Sequence, residues 1–241
     1  MMITAIIRVF ESNANDSSIS RITIKARGRF FCTGMDLGKG TSNVAQGSEQ
    51  ASDQYSLLTG LFETIDKSSK VTIACVQGPA FGGGVGLALA FDIRLMAESA
   101  SIRLTEVRLG LVPATIFSIF IRELGVAFTR EVMLTGRVVP ATQLSQLSRV
   151  DLCTEHLDLA LESRLKTLRN AVPGALALIK DLLRSSTRES AEVFRAQVKD
   201  TFHYMMAGSK ESGCGLSDLQ RGVKDVDGDS FEASRGSGSK L

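Results

Sequence analysis

The sequence predicts an α/β fold, and three observations support that prediction. Two apolar runs rich in β-branched or long aliphatic residues, Val71–Val76 and Ile93–Ala97, have the composition of buried strands. Apolar residues at helical spacing precede the first run. A glycine-rich turn over residues 78–86 separates the two runs and leads into a compact apolar segment that is typical of a helix. Helices that alternate with strands in this way indicate an α/β protein.

The first 70 residues predict a helix, a strand and a second helix. The opening helix has apolar residues at positions i, i+3, i+4 and i+7, namely Ile3, Ile6, Ile7 and Phe10. Ile22 and Ile24 alternate with polar neighbours and predict a strand that ends by Gly28. A polar stretch rich in glycine and serine over residues 38–49 predicts a loop. The next apolar residues with helical spacing are Leu57, Leu58, Leu61, Phe62 and Ile65.

After the strand Ile93–Ala97, we expect a brief strand-like alternation at Ile102 and Leu104, and then a helix over residues 116–124. Beyond residue 140 helical patterns predominate. One short strand is expected over 150–153, and long helices are expected over 156–170, 174–183 and 189–206.

These patterns divide the chain into an α/β core over residues 1–140, a helical region over 141–220 and a tail over 221–241. The tail is rich in glycine, serine and aspartate, which predicts a flexible segment. A length of 241 residues is at the upper end of what one hydrophobic core can serve, so we expect one large domain with a helical appendage.

Composition and charge exclude several classes of protein. Hydrophobic residues at 44% and charged residues at 22% are ordinary for a folded, water-soluble chain. The 28 basic and 26 acidic residues give a net charge of +2 without a basic block, so nucleic acid is not an expected partner. No apolar run is long enough for membrane insertion, and no secretory signal opens the chain. The four cysteines lack C-x-x-C spacing and are expected to be reduced and buried.

Several catalytic motifs are absent. The sequence has no G-x-x-x-x-G-K-[ST] motif, and its glycine cluster does not satisfy G-x-G-x-x-G because position 87 is leucine, so neither a phosphate-binding loop for nucleotide hydrolysis nor a dinucleotide site is expected. The histidines, His156 and His203, lie neither in a metal-binding pair nor near a G-x-S-x-G serine. We therefore expect neither a catalytic histidine nor a metal site.

Two glycine-centred elements each follow a predicted strand: F-C-T-G-M-D over residues 31–36 and G-G-G over 82–84. Glycine lets the backbone turn sharply and lets a ligand approach the backbone N–H groups. A pair of such N–H groups can form an oxyanion hole, in which each donor stabilises the transition state by about 2.7 to 4 kcal/mol. Taken alone, each element is equally compatible with a tight turn under a packed sheet.

Three blocks of sequence carry a family resemblance. Residues 31–37, F-C-T-G-M-D-L, resemble the F-C-A-G-A-D-L signature of the enoyl-CoA hydratase/isomerase (crotonase) superfamily. Residues 74–97 and 105–113 resemble two further blocks of that superfamily, in family order and at family-like spacing. The P-A-T-I sequence at 113–116 is most similar to the methylglutaconyl-CoA hydratase-like branch. The resemblance implies a crotonase-like spiral of ββα units with a helical C-terminal oligomerisation region.

The resemblance implies where an acyl-CoA thioester would bind. In the family, two backbone N–H groups hold the thioester oxygen, and these map onto Met35 and Gly83. Gly34, Asp36 and Gly82 lie beside them in the sequence and are expected to contribute to substrate binding. Coenzyme A is part of such a substrate, so no separate cofactor is implied.

The resemblance also implies a proton-transfer residue. One family glutamate maps onto Glu106, whereas the other maps onto Gly86, which has no side chain. Two carboxylates can together position the water and transfer the protons when water adds across C2=C3. A single carboxylate is suited to moving a proton from one carbon to another, as in a double-bond shift. We expect an enoyl-CoA hydratase; the alternatives are a double-bond isomerase and a non-catalytic binding or assembly subunit. Glu106 could instead be a solvated loop carboxylate.

Further expectations concern assembly, location and the chain start. The resemblance implies a homotrimer or hexamer, or a mixed oligomer with a paralogue. It also places about 40 to 50 family residues before the region that matches this start, so the first strands are expected to be missing. Asp92 is expected to bridge near a strand start.

Ser239, Lys240 and Leu241 form the tripeptide read by the peroxisomal import receptor, which predicts a peroxisomal location. Fungal toxin or siderophore biosynthesis and fatty-acid oxidation are the expected settings.

Overall fold

The computed structural model describes residues 2–35, 48–147, 149–154, 156–208, 210–221, 223 and 227–228. The chain forms two compact units. The first contains residues 1–11, 23–66 and 72–161, and the second contains residues 12–22, 67–71 and 162–241. Every sequence-predicted site residue that the structure describes belongs to the first unit.

In the described part of the chain, the strands are β1 (Arg21–Lys25), β2 (Val71–Val76), β3 (Ala80–Phe81), β4 (Ile93–Ala97), β5 (Ser101–Arg103), β6 (Val138–Pro140) and β7 (Leu152–Thr154). The α-helices of that part are α1 (Met2–Asn13), α2 (Ser48–Lys67), α3 (Gly83–Leu89), α4 (Phe117–Leu124), α5 (Val126–Thr135), α6 (Ala141–Gln146), α7 (Leu157–Arg169), α8 (Pro173–Arg188), α9 (Ala191–Met206) and α10 (Lys210–Gln220). Two short 3₁₀ turns, Glu106–Leu109 and Ala114–Ile116, lie between β5 and α4.

A four-stranded sheet has the order β1-β2-β4-β7. The pairs β2–β4 and β4–β7 are parallel, with Ile73 opposite Ile93 and Leu95 opposite Leu152. Every residue of β2 is buried, as expected for a continuous apolar strand in the middle of a parallel sheet. The predicted α/β architecture is therefore confirmed.

A second sheet has the order β3-β5-β6 and lies next to the glycine-rich turn. β3 pairs in parallel with β5, so that Ala80 is opposite Ile102, and β5 pairs with β6 in antiparallel. Cys32 forms an isolated parallel bridge with Ala80. Because of this bridge, residues 31–35 run beside the strand that leads into α3.

Asp92 joins two strands of the first sheet. Its Oδ2 accepts hydrogen bonds from the Thr72 N–H and the Thr72 hydroxyl, each at 2.8 Å, and the Asp92 N–H donates to Thr72 Oγ1 at 2.9 Å. Thr72 is fully buried, so its polar groups depend on this partner. The predicted bridging role of Asp92 is confirmed.

The second unit is held partly by lysine and arginine side chains that donate to backbone carbonyls. Lys70 Nζ donates to Asp16 O at 2.8 Å, and Lys180 Nζ donates to Lys70 O at 2.6 Å. Arg21 Nη2 donates to Leu168 O at 2.7 Å. These bonds connect segments that are far apart in the sequence, and thereby fix the chain around α7 and α8.

The element predictions hold for most of the chain, with some corrections. The predicted strand at 150–153 lies at Leu152–Thr154, and β3, β6, α5, α6, α10 and the 3₁₀ turns were not predicted because each is short or lacks a clear period. The expectation of buried cysteines is wrong for Cys214, which is exposed on α10, and only partly right for Cys32, which is of intermediate burial. The predicted loop over 38–49 lies outside the described residues, except that residues 48 and 49 belong to α2.

Within the described residues, no helix has both the length and the apolar character needed to cross a membrane.

We predict that Asp92→Ala lowers the free energy of unfolding by about 1 to 3 kcal/mol, because the buried Thr72 groups lose their acceptor. Chemical denaturation measures this value. Asp158→Ala is the control, since Asp158 is 83% exposed in its pair with Lys25 and should contribute less than about 1 kcal/mol. Equal losses in the two variants would contradict the bridging role.

Candidate active site

The segment around Gly34 lies in close backbone contact with the start of α3. Phe81 N–H donates to Cys32 O at 2.9 Å, and Gly34 has a φ of +86°. A Cβ at Gly34 would lie 2.8 Å from Phe81 O and 3.2 Å from Gly83 N. Only glycine fits this conformation and this approach, so Gly34 brings the backbone before Met35 next to Gly83.

Gly82 and Gly83 form the entry to α3. Gly82 has a φ of +50°, its N–H donates to Arg103 O at 3.1 Å, and its carbonyl accepts from Val85 N–H at 2.9 Å. Gly83 is the first residue of α3, and its N–H has no acceptor among the described residues. The same holds for the Met35 N–H within the described ranges. The two predicted oxyanion donors are therefore both available to a ligand.

Glu106 is placed against this glycine turn. It is the first residue of the turn Glu106–Leu109, which ends at Gly110 with a left-handed φ of +70°. Glu106 O accepts from Leu111 N–H at 2.9 Å, which holds the turn closed. A Cβ at Gly82 would lie only 2.8 Å from Glu106 Oε1, so the carboxylate occupies the space that the missing side chain leaves.

The Glu106 carboxylate is in an environment that favours its protonated form. Its Oε2 is buried and has no hydrogen-bond partner among the described residues. Burial raises the pKa of Glu106, and backbone N–H groups of Glu106 and Thr105 oppose the rise only in part. A solvated loop carboxylate would have neither property, so that alternative is wrong. A carboxyl group with a raised pKa is suited to general acid and base catalysis.

Ile116 fills the space next to Gly86. A Cβ at Gly86 would collide with Ile116 Cγ2, and would lie 2.9 Å from Ile116 Cβ and 3.3 Å from Phe62 Cζ. Ile116 is 1% exposed. No side chain can therefore extend from position 86 without a shift of Ile116, so α3 offers no second carboxylate here.

Most of these residues, though not Gly82 or Gly86, line one cavity of about 510 Å³ in the first unit. Met35, Gly34, Gly83 and Glu106 all contribute to its wall, together with apolar side chains from α1, α2 and the turn Ala114–Ile116. The structure thus brings together the predicted donors and the predicted proton-transfer residue. Gly82 contacts Glu106 directly. Asp36 and the tripeptide Ser239, Lys240 and Leu241 lie outside the described residues.

Three further residues of the cavity were not predicted. Gln54 on α2 donates from Nε2 to Met35 Sδ at 2.8 Å, and Thr115 and Ile116 come from the P-A-T-I block. Periodicity gave no signal for Gln54, because its contact depends on how α2 packs. The P-A-T-I block was recognised as distinctive, but its sequence does not indicate which side chain faces the cavity.

Comparisons with known proteins identify relatives of this chain in sequence and in fold. Residues 1–218 match the enoyl-CoA hydratase/isomerase family. The enoyl-CoA hydratase AKT6-1 of Alternaria alternata is 37% identical over 224 residues, which cover 91% of this chain and 72% of that protein. An enoyl-CoA hydratase from Shewanella pealeana has a TM-score of 0.85 at 29% identity, over 93% of this chain and 84% of that one. AtuE of Pseudomonas aeruginosa has a TM-score of 0.87 at 26% identity, over 94% and 89%.

We predict that Gly86→Ala lowers the free energy of unfolding by about 1 to 3 kcal/mol, because the new methyl group collides with Ile116. Ile116→Ala alone should lower it by about 2 to 5 kcal/mol. In the double variant the methyl group enters the space that Ile116 leaves, so the combined loss should be smaller than the sum of the two. Urea unfolding of the four proteins tests this coupling, and simple additivity would contradict it.

Proposed function

The chain belongs to the enoyl-CoA hydratase/isomerase family, and we propose that it is an enoyl-CoA hydratase that adds water across the C2=C3 bond of an acyl-CoA thioester. The observation that carries this proposal is the position of Glu106, whose Oε1 lies against Gly82 and which lines the same cavity as Gly83. Coenzyme A enters as part of the substrate. The similarity to a hydratase of Alternaria alternata supports hydration as the main activity.

In the proposed mechanism, the Met35 and Gly83 N–H groups donate hydrogen bonds to the thioester oxygen. They stabilise the negative charge that develops there when water attacks C3. Glu106 accepts one proton from the attacking water and then delivers that proton to C2. The water oxygen and its second hydrogen remain on C3 as the hydroxyl group. One carboxylate therefore acts first as base and then as acid.

The second candidate is a double-bond isomerase. The contact of Ile116 with Gly86 favours it, because the cavity wall is apolar where a second carboxylate would assist the addition of water. In that reaction Glu106 removes a proton from C2 of a 3-enoyl-CoA and returns it to C4, without water. Both reactions use the same enolate-stabilising N–H groups, so the product distinguishes them.

We predict that the protein converts a 2-enoyl-CoA to the 3-hydroxyacyl-CoA, and that Glu106→Gln lowers the rate by about 10² to 10⁴-fold because glutamine cannot transfer the proton. Incubation with 2-enoyl- and 3-enoyl-CoA, followed by mass spectrometry and chromatography of the products, measures both activities. Conversion of 3-enoyl-CoA alone would identify an isomerase. An unchanged rate in the variant would exclude Glu106 from the mechanism.

The pH profile gives an independent check of the same residue. Glu106 must be ionised to accept a proton, and burial raises its pKa. The kcat/KM of hydration should therefore fall on the acid side at a pH above the range of an exposed glutamate. The residual activity of Glu106→Gln should lack this acid limb.

We also propose a homotrimer or hexamer built through the C-terminal helices, and a setting in fungal secondary metabolism. Large apolar side chains that are exposed on α9 and α10 support the assembly; they include Val198, Phe202, Met205, Met206 and Leu216. The relative from Alternaria alternata supports the setting.

We further propose that the protein is imported into peroxisomes, since the import receptor reads the tripeptide formed by Ser239, Lys240 and Leu241. A fluorescent protein fused ahead of the full chain should co-localise with a peroxisomal marker in fungal cells. Deletion of the tripeptide should make the signal diffuse. Peroxisomal signal that persists after the deletion would contradict the proposal.

A further inference from the structure

Hydration by a single carboxylate leaves one hydrogen of the attacking water without an assigned acceptor. Glu106 accepts one proton of the attacking water. The second hydrogen of that water would point into a cavity whose wall is largely apolar. A water molecule held by one partner in such surroundings loses hydrogen bonds that it has in bulk water. A second acceptor in the cavity would both hold the water and orient its lone pair towards C3.

That acceptor cannot come from α3. Gly82, which contacts Glu106, and Gly86, which contacts Ile116, are four residues apart and are joined by a bond from Gly86 N–H to Gly82 O. Gly82 directly precedes α3, and Gly86 lies near the N-terminal end of that helix. Glu106 and Ile116 therefore pack against neighbouring positions at the start of α3. A hydrogen-bond acceptor that replaces a side chain of position 86 would therefore lie next to Ile116.

Thr115 is the residue next to Ile116, and it lines the same cavity as Glu106. It is partly buried, and its hydroxyl has no hydrogen-bond partner among the described residues. The turn Ala114–Ile116 is held by Ile116 N–H donating to Pro113 O at 3.3 Å and by the buried side chain of Ile116. Thr115 is thus anchored on one side, while its hydroxyl remains free to bind a ligand.

The other polar side chains on the described cavity wall fit this role less well. Gln54 is exposed, and its Nε2 is bound to Met35 Sδ. Tyr55 is 57% exposed. The Cys32 thiol is a weak acceptor. A hydroxyl, by contrast, has two acceptor lone pairs.

We propose that Thr115 Oγ1 accepts a hydrogen bond from the second hydrogen of the attacking water and so takes over the water-positioning task for which position 86 has no side chain. This inference rests on the proposed hydratase function. In the step, the C3–O bond forms, one water proton passes to Glu106 and then to C2, and the other hydrogen stays on the new hydroxyl group, bonded to Thr115. No co-reactant is needed.

The test compares Thr115→Val, which keeps the shape of the side chain but removes the hydroxyl, with Thr115→Ser, which keeps it. The hydration rate of a 2-enoyl-CoA is measured together with exchange of the C2 hydrogens of butanoyl-CoA in D₂O. The exchange uses Glu106 and the N–H donors but no attacking water. Thr135→Val is the control, because Thr135 is exposed on α5, donates from its hydroxyl to Glu131 O and does not line the cavity.

We expect Thr115→Val to lower kcat of hydration by about tenfold, a loss of one hydrogen bond, with little change in KM or in C2 exchange. Thr115→Ser should retain most of the rate, and Thr135→Val should match the wild type. Unchanged hydration in Thr115→Val, or equal loss of hydration and exchange, would overturn the proposal. A selective loss of hydration in Gln54→Leu with Thr115→Val unaffected would assign the role to Gln54.

The proposed function can fail separately from this inference. A wild-type protein that exchanges C2 hydrogens and shifts double bonds but never hydrates would overturn both. A wild-type protein that hydrates normally, with a Thr115→Val variant that hydrates equally well, would overturn only the role of Thr115.

Discussion

The close approach of two backbone segments, around Gly34 and around Gly82–Gly84, is the constraint on which the site depends. The absence of Cβ atoms allows it: a methyl group at Gly34 would meet Phe81 O at 2.8 Å, and one at Gly84 would meet Cys32 Cβ at 2.7 Å. The bridge between Cys32 and Ala80 holds the segments in register. As a result, Met35 and Gly83 line one cavity.

The same glycine turn also determines the state of Glu106. Because Gly82 has no side chain, Oε1 can lie against its backbone, while Oε2 is buried without a partner among the described residues. Burial raises the pKa above that of the unfolded chain, so the folded protein binds this proton more tightly. The ionised carboxylate therefore opposes folding at neutral pH, and this cost decreases as the pH falls. The burial that makes the Glu106 carboxylate a stronger base therefore lowers the stability of the folded protein.

Ile116 explains how the fold accommodates a glycine at position 86. Its side chain occupies the space into which a residue at position 86 would extend, so the site loses a carboxylate without leaving an empty space. The replacement is apolar and belongs to a different element from α3. The cavity therefore retains the N–H donors and one proton-transfer group. In the proposed hydration, the second polar group that positions the attacking water comes from the turn Ala114–Ile116.

Local patterns in the sequence were sufficient for β2, β4, α3 and the long C-terminal helices, because apolar periodicity and glycine turns involve neighbouring residues. Sequence blocks likewise identified Met35, Gly83 and Glu106. Only the tertiary structure determined that the Glu106 carboxylate lies against Gly82, that Ile116 covers Gly86, and that Gln54 and Thr115 line the cavity. These contacts join residues distant in the chain, and side-chain packing, which leaves no periodic trace in the sequence, decides them.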